Sequence, residues 1–440
     1  MLETFIHNLC LSTHSSAGNH IIIEAVGLFW IGKALYQHKL GKKCLSKARK
    51  ILWHEILRQI NDDGSIKEQT FWYLGFIIDG LLHYLLLEDL DVIPNTVLIR
   101  IEKAMEFINC LISADGYFPD YGDRDDGFVF RTSGNYNEPY FAGLLNTGAI
   151  FFNRPEWIRD IPLAMKRRDF FFKKPLSTKC TINQPSSNKS VAVKVSNPSI
   201  FTYSIGGMAS IKRDESAILF RYSPLGLEPT FGHGHADALS VLLYWRNTPV
   251  LIDLGAGQYN GDQNIRNHFR STIAHNTVEI GKSNQADILG PFLWDKSYET
   301  TLVKVEETPK PMVQAYHTGY KKKFGIIHNR KIEWPTADKI IITDSYSGSS
   351  RIRGRGAFHL GPCNKVGQKK NDVVSFFNNF KVMFSFPKSF NVDIFYGSLK
   401  PFMGWRSTVY GNWEAIHSII YSFELDLNEK YEISLQILEK

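Results

Sequence analysis

HGHAD at residues 233–237, with Asp253 and then RSTIAHNT at residues 270–277 behind it, is the most informative stretch of this chain. The two histidines of HGHAD are two positions apart, so an extended backbone would project both rings from one face of a sheet. The short apolar runs around them indicate β-strands. Imidazoles gathered on one face predict a site for a metal ion or an anionic substrate.

Three of these side chains have the chemistry of one metal site. A hairpin between strands at 238–245 and 250–254 would bring its outer ends together, and with them His235 and Asp253. His275 begins a later strand and would complete a set of nitrogen and oxygen ligands that suits zinc. The alternative interpretation is that these are hydrogen-bonded core or surface residues, as most isolated histidines are.

Helical periodicity dominates residues 15–157. Apolar residues recur at three- and four-residue steps and predict helices over Cys44–Ile60, Trp72–Leu87 and Asn95–Ile112, joined by short loops. The second helix is the most apolar stretch, yet it is shorter than the ~20 residues that a membrane span needs. We therefore expect a buried helix there and no integral membrane segment.

The hydrophobic period changes after a segment rich in Pro, Ser, Asn and Lys. This change predicts a helical domain at 1–172, a linker at 173–199 and a β domain at 200–440. Runs with strand character and no intervening helix follow the linker, over 201–222, 238–254, 276–280, 326–334 and 339–346. Many short strands of this kind indicate an antiparallel sandwich.

Composition excludes several classes of protein. Lys plus Arg exceed Asp plus Glu by 51 − 44 = 7, a weak preference for anionic partners, and without an RNA-binding signature or zinc finger we expect no nucleic acid. The five cysteines form no CxxC pair, which argues against a disulfide framework or a thiolate zinc site. No secretory signal is visible in Met1–Gly18, so the cytoplasm is the default compartment, and the periplasm if the N-terminus is truncated. The oligomeric state is not readable.

Three further features say little when taken singly. Residues 115–127 are rich in Asp and Gly, and because their spacing does not fit a calcium loop we favour a turn-rich loop over a calcium site. Asn19 precedes an apolar helix and is typical of an N-cap. Tyr73 is typical of an amphipathic core residue.

Taken together, the motifs resemble the heparinase II/III-like polysaccharide lyases, a family that also includes alginate and oligoalginate lyases. The matching segments occur in the family's order over nearly the whole chain: SAGNH at 16–20, DG at 63–64, EQ at 68–69, Tyr73, HGHADALS at 233–240, DLG at 253–255 and RSTIAHNTV at 270–278. The resemblance implies an α+β multidomain fold. An N-terminal, incomplete α/α toroid of helical hairpins would be followed by a C-terminal antiparallel β-sandwich.

The resemblance also implies catalytic roles. Asn19 and His20 would contact a uronate carboxylate, Tyr73 would be the catalytic acid/base, and His233 would act with it. The family often has His after the catalytic Tyr, where this chain has Leu74.

Binding roles follow from the same resemblance. His235, Asp253 and His275 match positions that hold a structural zinc ion in some members, and no organic cofactor is implied. Arg270 and Asn276 would contact the substrate, which would be an anionic polysaccharide or oligosaccharide.

The implied reaction is β-elimination. Removing the proton at C5 of a uronate puts a second negative charge on the carboxylate, which donors placed in advance must neutralise. Two alternatives remain open. One is a weakly active or inactive glycan-binding or assembly protein of a bacterial surface-polysaccharide pathway, and the other is a metal-dependent hydrolase that uses His235, Asp253 and His275.

Overall fold

Two compact units form the chain in this computed structural model. The described residues are 18–131, 139–164, 166–167, 198–348, 352–427 and 429–439. One unit comprises Met1–Phe118 with Asp126–Ala192, and the other comprises Pro119–Asp125 with Val193–Lys440. The seven residues 119–125 therefore belong to the second unit although they lie between two parts of the first. The linker predicted over 173–199 lies outside the described residues, except for its last two positions.

Helices build the first unit. They are α1 (Asn19–Ala34), α2 (Lys39–Gln59), α3 (Phe71–Leu87), α4 (Asn95–Leu111) and α5 (Tyr140–Phe151), with 3-10 turns at Leu90–Val92 and Pro155–Trp157. Short loops join α1 to α2 and α3 to α4, and the joined helices pack on each other as helical hairpins. The predicted helices are confirmed, although α2 begins five residues before its predicted start. No helix of the described segments is long and apolar enough to cross a bilayer.

Helix α3 is buried almost all round, because its sequence is apolar on every face. Its one carboxylate, Asp79, is fully buried and is satisfied by several donors. The Tyr140 hydroxyl donates to it at 3.0 Å, the backbone N–H groups of Val129 and Phe130 at 3.1 Å, and the Arg167 guanidinium also pairs with it. These donors offset the cost of placing a charge inside the unit.

Antiparallel sheets build the second unit. A five-stranded sheet has the order β1 (Ser199–Tyr203), β2 (Met208–Arg213), β3 (Ser216–Arg221), β4 (Ser240–Trp245), β5 (Thr248–Leu251). An eight-stranded sheet has the order β14 (Lys365–Lys369), β15 (Asp372–Phe376), β16 (Phe380–Ser385), β23 (Lys430–Glu439), β12 (Lys339–Ser347), β11 (Ile327–Thr336), β10 (Met312–His317), β9 (Thr300–Glu306). A four-stranded sheet has the order β17 (Asn391–Tyr396), β22 (His417–Glu424), β13 (Arg353–His359), β6 (Val278–Ile280).

Smaller elements complete the unit. Three two-stranded ribbons pair β7 (Ile288–Gly290) with β8 (Leu293–Trp294), β18 (Ser398–Leu399) with β19 (Phe402–Met403), and β20 (Trp405–Val409) with β21 (Asn412–Ala415). The short helices are α6 (Gln263–Phe269), α7 (Lys321–Phe324) and a 3-10 turn at Thr272–Ala274.

One hydrophobic core takes side chains from all three large sheets, including Leu243, Trp334 and Tyr421. Burial alternates residue by residue along β11, as expected for a strand with one face on the core. The shared core is that of a sandwich, and the predicted order of a helical part followed by an antiparallel β part is confirmed.

Candidate functional site

The HGHAD stretch lies in the irregular connection between β3 and β4, outside the paired strands. Close packing explains the glycine between the two histidines, because a Cβ at Gly234 would lie 1.5 Å from the carbonyl oxygen of Leu225. The two imidazoles nevertheless converge, since both bind one carboxylate. They differ in access: the His233 side chain is 22% exposed, whereas that of His235 is fully buried.

The shared carboxylate is Asp123, from the 119–125 segment. Its Oδ2 lies 3.0 Å from His233 Nδ1, and its Oδ1 lies 3.1 Å from His235 Nε2. Arg266 binds both oxygens through two guanidinium nitrogens, with Nη2 to Oδ2 at 2.7 Å. Burial would raise the pKa of Asp123, but Arg266 and the two imidazoles outweigh it and hold that pKa well below its usual value.

Asp123 is the main site residue that sequence reasoning missed. The Asp-Gly-rich segment 115–127 is irregular, as expected, but Asp123 is completely buried. Its partners are more than a hundred positions away in the sequence, so no local pattern announces the contact. Turn formation accounts for Asp and Gly in such a loop, so its composition did not single out Asp123.

His235, Asp253 and His275 meet as the hairpin argument predicted. Their candidate ligand atoms all lie within 4.8 Å of one another, and all three residues are buried. Strands β4 and β5 pair, so the segments beyond their outer ends come together. In the described part of the chain no other group of three or more His, Cys, Asp or Glu residues has this geometry.

The donor set of this trio fits a zinc ion. His235 Nδ1 and His275 Nε2 are buried and have no hydrogen-bond partner among the described residues. The other nitrogen of each ring is bound to a carboxylate, with His275 Nδ1 2.8 Å from Asp253 and His235 Nε2 on Asp123. A carboxylate on one ring nitrogen fixes the tautomer and presents the other nitrogen for metal binding. Burial lowers the pKa of His235 and favours its neutral ring, whereas Asp253 outweighs burial and raises the pKa of His275.

Asp237, the last residue of HGHAD, stabilises the fold. It forms a buried, two-point ion pair with Arg221 of β3, at 2.8 and 3.2 Å. The ring of Tyr121 lies 3.6 Å from the same guanidinium, a close cation–π contact. A second residue of the 119–125 segment therefore packs against the HGHAD region.

Arg270 and Asn276, expected to contact substrate, are both fully buried and bind main-chain groups. Arg270 donates to the carbonyl oxygens of Pro291 and Leu293. The Asn276 amide donates to the carbonyl of Val241 in β4 at 2.8 Å and to that of Ile252, just after β5, at 2.9 Å, and its oxygen accepts the N–H of His359 at 2.7 Å. In this arrangement both side chains hold the sheets and the nearby loop together.

In the helical unit, Asn19 is bound to Glu68. The Glu68 carboxylate accepts the backbone N–H of Asn19 at 2.9 Å and its side-chain amide at 3.0 Å. Gly18 is the N-cap residue of α1 and Asn19 is its first helical residue, so the N-cap interpretation of Asn19 is wrong. Gly18 has φ 64°, and a Cβ there would lie 1.9 Å from Glu68 Oε1, which explains a glycine before the Asn-His pair.

Tyr73 lies in the first turn of α3. Thr70 caps this helix, since its hydroxyl accepts the backbone N–H of Tyr73 at 3.3 Å. The Tyr73 side chain is almost completely buried, whereas His20 on α1 is exposed. The Glu68–Asn19 contact thus brings the start of α1 to the segment that leads into α3.

Fold and site together define a class of protein in which helical hairpins precede an antiparallel sandwich with a buried His-Asp-His trio. Residues 2–140 match the family described as Heparinase II/III N-terminus, and residues 197–435 match Heparinase II/III-like, C-terminal. The chain belongs to the heparinase II/III-like family. No curated protein matches it.

Solved structures share this fold. A heparinase III structure has a TM-score of 0.72 and 18% identity over 96% of this chain and 61% of its own. A mutant of the heparan sulfate lyase HepC from Pedobacter heparinus has a TM-score of 0.71 and 14% identity, over 99% of this chain and 63% of its own. The chondroitin AC lyase from Streptomyces coelicolor A3 has a TM-score of 0.51 and 11% identity, over 90% of this chain and 58% of its own. The chain therefore spans about three fifths of the length of these proteins, and at such identities the likeness concerns the fold.

Proposed function

We propose that this protein is a polysaccharide lyase that cleaves a uronate-containing anionic glycan by β-elimination, with Tyr73 as the acid/base. The main structural support is the fixed orientation of His233. Asp123 accepts from Nδ1–H, so in the neutral ring Nε2 carries the lone pair on a partly exposed imidazole. Family membership and the lyase activities named for the structural relatives support the same reaction class.

The proposed chemistry is a proton transfer followed by loss of the 4-O-linked sugar. The Tyr73 phenolate takes the C5 proton, and the C5–H electrons form an enolate-like carboxylate. These electrons then form the C4–C5 double bond as the C4–O bond breaks, and the Tyr73 proton goes to the leaving oxygen.

Asn19 has a defined part in this proposal. Its amide nitrogen lies 3.3 and 3.0 Å from the two Glu68 oxygens, and one N–H directed between them accounts for both distances. The second N–H then serves the uronate carboxylate, where negative charge accumulates. His20 supplies a further donor to the same charge, and the lone pair on His233 Nε2 shares the proton transfer.

We further propose that His235, Asp253 and His275 hold a structural zinc ion. When bound, the ion would neutralise the buried carboxylate and link the HGHAD loop to the segments after β5 and before β6. The substrate chemistry above is assigned to side chains of the chain itself.

The experiment is an ultraviolet assay for the unsaturated uronate that only elimination creates, with heparan sulfate, alginate, hyaluronan and bacterial uronate polymers as substrates. Tyr73→Phe should reduce turnover by at least about a thousandfold, because it removes the proton-transfer group. Tyr84→Phe is the matched control. Tyr84 lies on the same helix, and its buried hydroxyl accepts a hydrogen bond from Trp53 at 3.0 Å. The Tyr84→Phe variant loses this hydroxyl but should keep its activity.

Other outcomes would contradict the proposal in recognisable ways. Reducing ends released without the ultraviolet signal would indicate hydrolysis. Binding of a polymer without cleavage would indicate a glycan-binding protein. Equal activity of folded Tyr73→Phe and wild type would remove Tyr73 from the chemistry.

A further inference from the structure

An aromatic side chain stands beside His233 at the tip of the β7–β8 hairpin. Phe292 is 38% exposed, although it lies in a well-packed unit. Its ring centroid is 5.5 Å from that of His233 and 5.2 Å from that of Tyr259, both in edge-to-face geometry. The exposed ring and the partly exposed imidazole therefore form one continuous surface.

The loop that presents Phe292 is firmly held. The carbonyl oxygen of the preceding residue, Pro291, accepts from Arg266 Nε at 3.1 Å and Nη2 at 2.9 Å, and also from Arg270. After the tip, Trp294 Nε1 donates to the carbonyl of Gly234 at 3.1 Å. Binding a ligand here would cost little ordering entropy, because the loop is already fixed.

The electrostatics of this surface favour an uncharged group. The Arg266 guanidinium lies 5.0 Å from the Tyr259 centroid and 5.2 Å from the Phe292 centroid. Its charge is already matched by Asp123 in a two-point ion pair, so little positive charge remains for a ligand carboxylate. What the surface offers is apolar ring area next to a polar imidazole edge.

A pyranose ring matches this combination. Its C–H groups form an apolar face that packs on an aromatic ring, while its rim hydroxyls reach polar neighbours. We infer that Phe292, supported by Tyr259, is a subsite that stacks the C–H face of a sugar ring of the glycan beside His233. The inference rests on the proposed function for the identity of the glycan, but the subsite is a binding feature that can be measured without catalysis.

The test compares Phe292→Ala, Phe292→Tyr and Leu289→Ala with the wild type. Isothermal titration with size-defined heparan sulfate, alginate and hyaluronan oligosaccharides gives Kd, and the ultraviolet assay gives KM and kcat for any polymer that is cleaved. Phe292→Ala should raise Kd and KM about tenfold, the effect of losing most of a buried aromatic contact, with little change in kcat. Phe292→Tyr keeps the ring and should stay near wild type.

Leu289→Ala is the matched control, because Leu289 is 60% exposed on the same hairpin. It should leave Kd and KM unchanged, and a loss equal to that of Phe292→Ala would point to general disturbance of the hairpin and overturn the inference. A change in oligomeric state in Phe292→Ala, measured by light scattering, with unaltered Kd would assign the ring to a protein contact instead.

The two proposals fail separately. Tight binding that Phe292→Ala weakens, without cleavage of any polymer, would keep the subsite and reject the lyase. Cleavage with the same KM in wild type and Phe292→Ala would keep the lyase and reject the subsite. Binding to none of the oligosaccharides would also reject the subsite.

Discussion

At the scale of single residues, Asp123 connects both histidines of HGHAD to Arg266. The two carboxylate oxygens of Asp123 accept hydrogen bonds from Arg266, His233 and His235. One side chain therefore orients both His233, the candidate substrate-facing imidazole, and His235, a candidate zinc ligand. A buried carboxylate with this many donors is pre-organised, because every partner is fixed before any ligand arrives.

Asp123→Asn is predicted to destabilise the protein. The amide keeps the volume but presents an NH₂ group to a guanidinium or an imidazole N–H, and it leaves Arg266 buried without its counter-charge. Loss of one partner of a buried ion pair costs about 3–5 kcal/mol, which chemical denaturation would measure. Asp287→Asn breaks an exposed pair with Lys323 and should cost less than about 1 kcal/mol. Equal losses in the two variants would contradict this account of Asp123.

Sequence could not have located Asp123, and the reason is geometric. Its partners come from a loop and a helix far along the chain, whereas periodicity and turn rules describe neighbours within a few positions. The same limit applies to Glu68, which stands in the EQ motif at 68–69 but whose contact with Asn19 crosses 49 positions. Residue types predicted the candidate ligands, and long-range folding supplied their shared partners.

At the scale of elements, periodicity predicted regular structure well and irregular structure poorly. The α3 and α4 helices match their predicted spans to within a residue at each end, because apolar residues recur every three or four positions along a helix that faces the core. HGHAD lies outside the paired strands, and its Gly234 packs against the Leu225 carbonyl, a tertiary contact that no alternation pattern encodes. At the start of α4, Pro94 is the cap residue and Asn95 is the first helical residue.

The end of β13 gives a prediction about pH. His359 is buried and neutral, with its ring nitrogens 2.8 Å from the Ser418 hydroxyl and 3.0 Å from the Ile273 carbonyl, so it links β13 to β22 and to the 272–274 turn. Burial lowers its pKa from 6.5 to about 3. Between these values the unfolded chain binds the proton more readily, so stability is lost as the pH falls through this window.

The measurement is the free energy of unfolding as a function of pH. Between about pH 6.5 and pH 4.5, the contribution of His359 to the free energy of unfolding should fall by about 2–3 kcal/mol. This follows from a slope of about 1.36 kcal/mol per pH unit for one proton. His359→Gln can bond both neighbours without titrating, and it should be less stable at neutral pH but lose less on acidification. Parallel pH curves for the variant and the wild type would show that His359 does not set the slope.

At the scale of the whole molecule, the proposed zinc ion should contribute to stability. A chelator is expected to lower the melting temperature of the wild type by roughly 5–15 °C, since a ligand bound only by the folded state adds a few kcal/mol. His275→Ala should melt lower and no longer respond to the chelator. His317→Gln alters a buried imidazole outside the trio and should keep the response. A wild-type melting curve that is indifferent to chelation would contradict the zinc proposal.

The overall architecture was the most predictable property. A helical period before residue 157 and a strand period after residue 200 were enough to place the two kinds of structure in order, because each period follows from which face is buried. The pairing of β23 between β12 and β16 could not be read from sequence, since the last strand enters the middle of the eight-stranded sheet.

Residues 119–125 belong to the β unit although they precede the linker, which has a consequence for producing the β unit as a separate fragment. A fragment that begins after the linker contains His233, His235, Arg221 and Arg266 but lacks Asp123 and Tyr121, which cover these groups from an earlier part of the chain. In such a fragment the Arg266 guanidinium, which is buried in the intact protein, would lose its carboxylate partner, and Arg221 would lose the Tyr121 ring that packs on it. Supplying the missing seven residues, as a fused segment or a separate peptide, would be the natural way to make the β half self-sufficient.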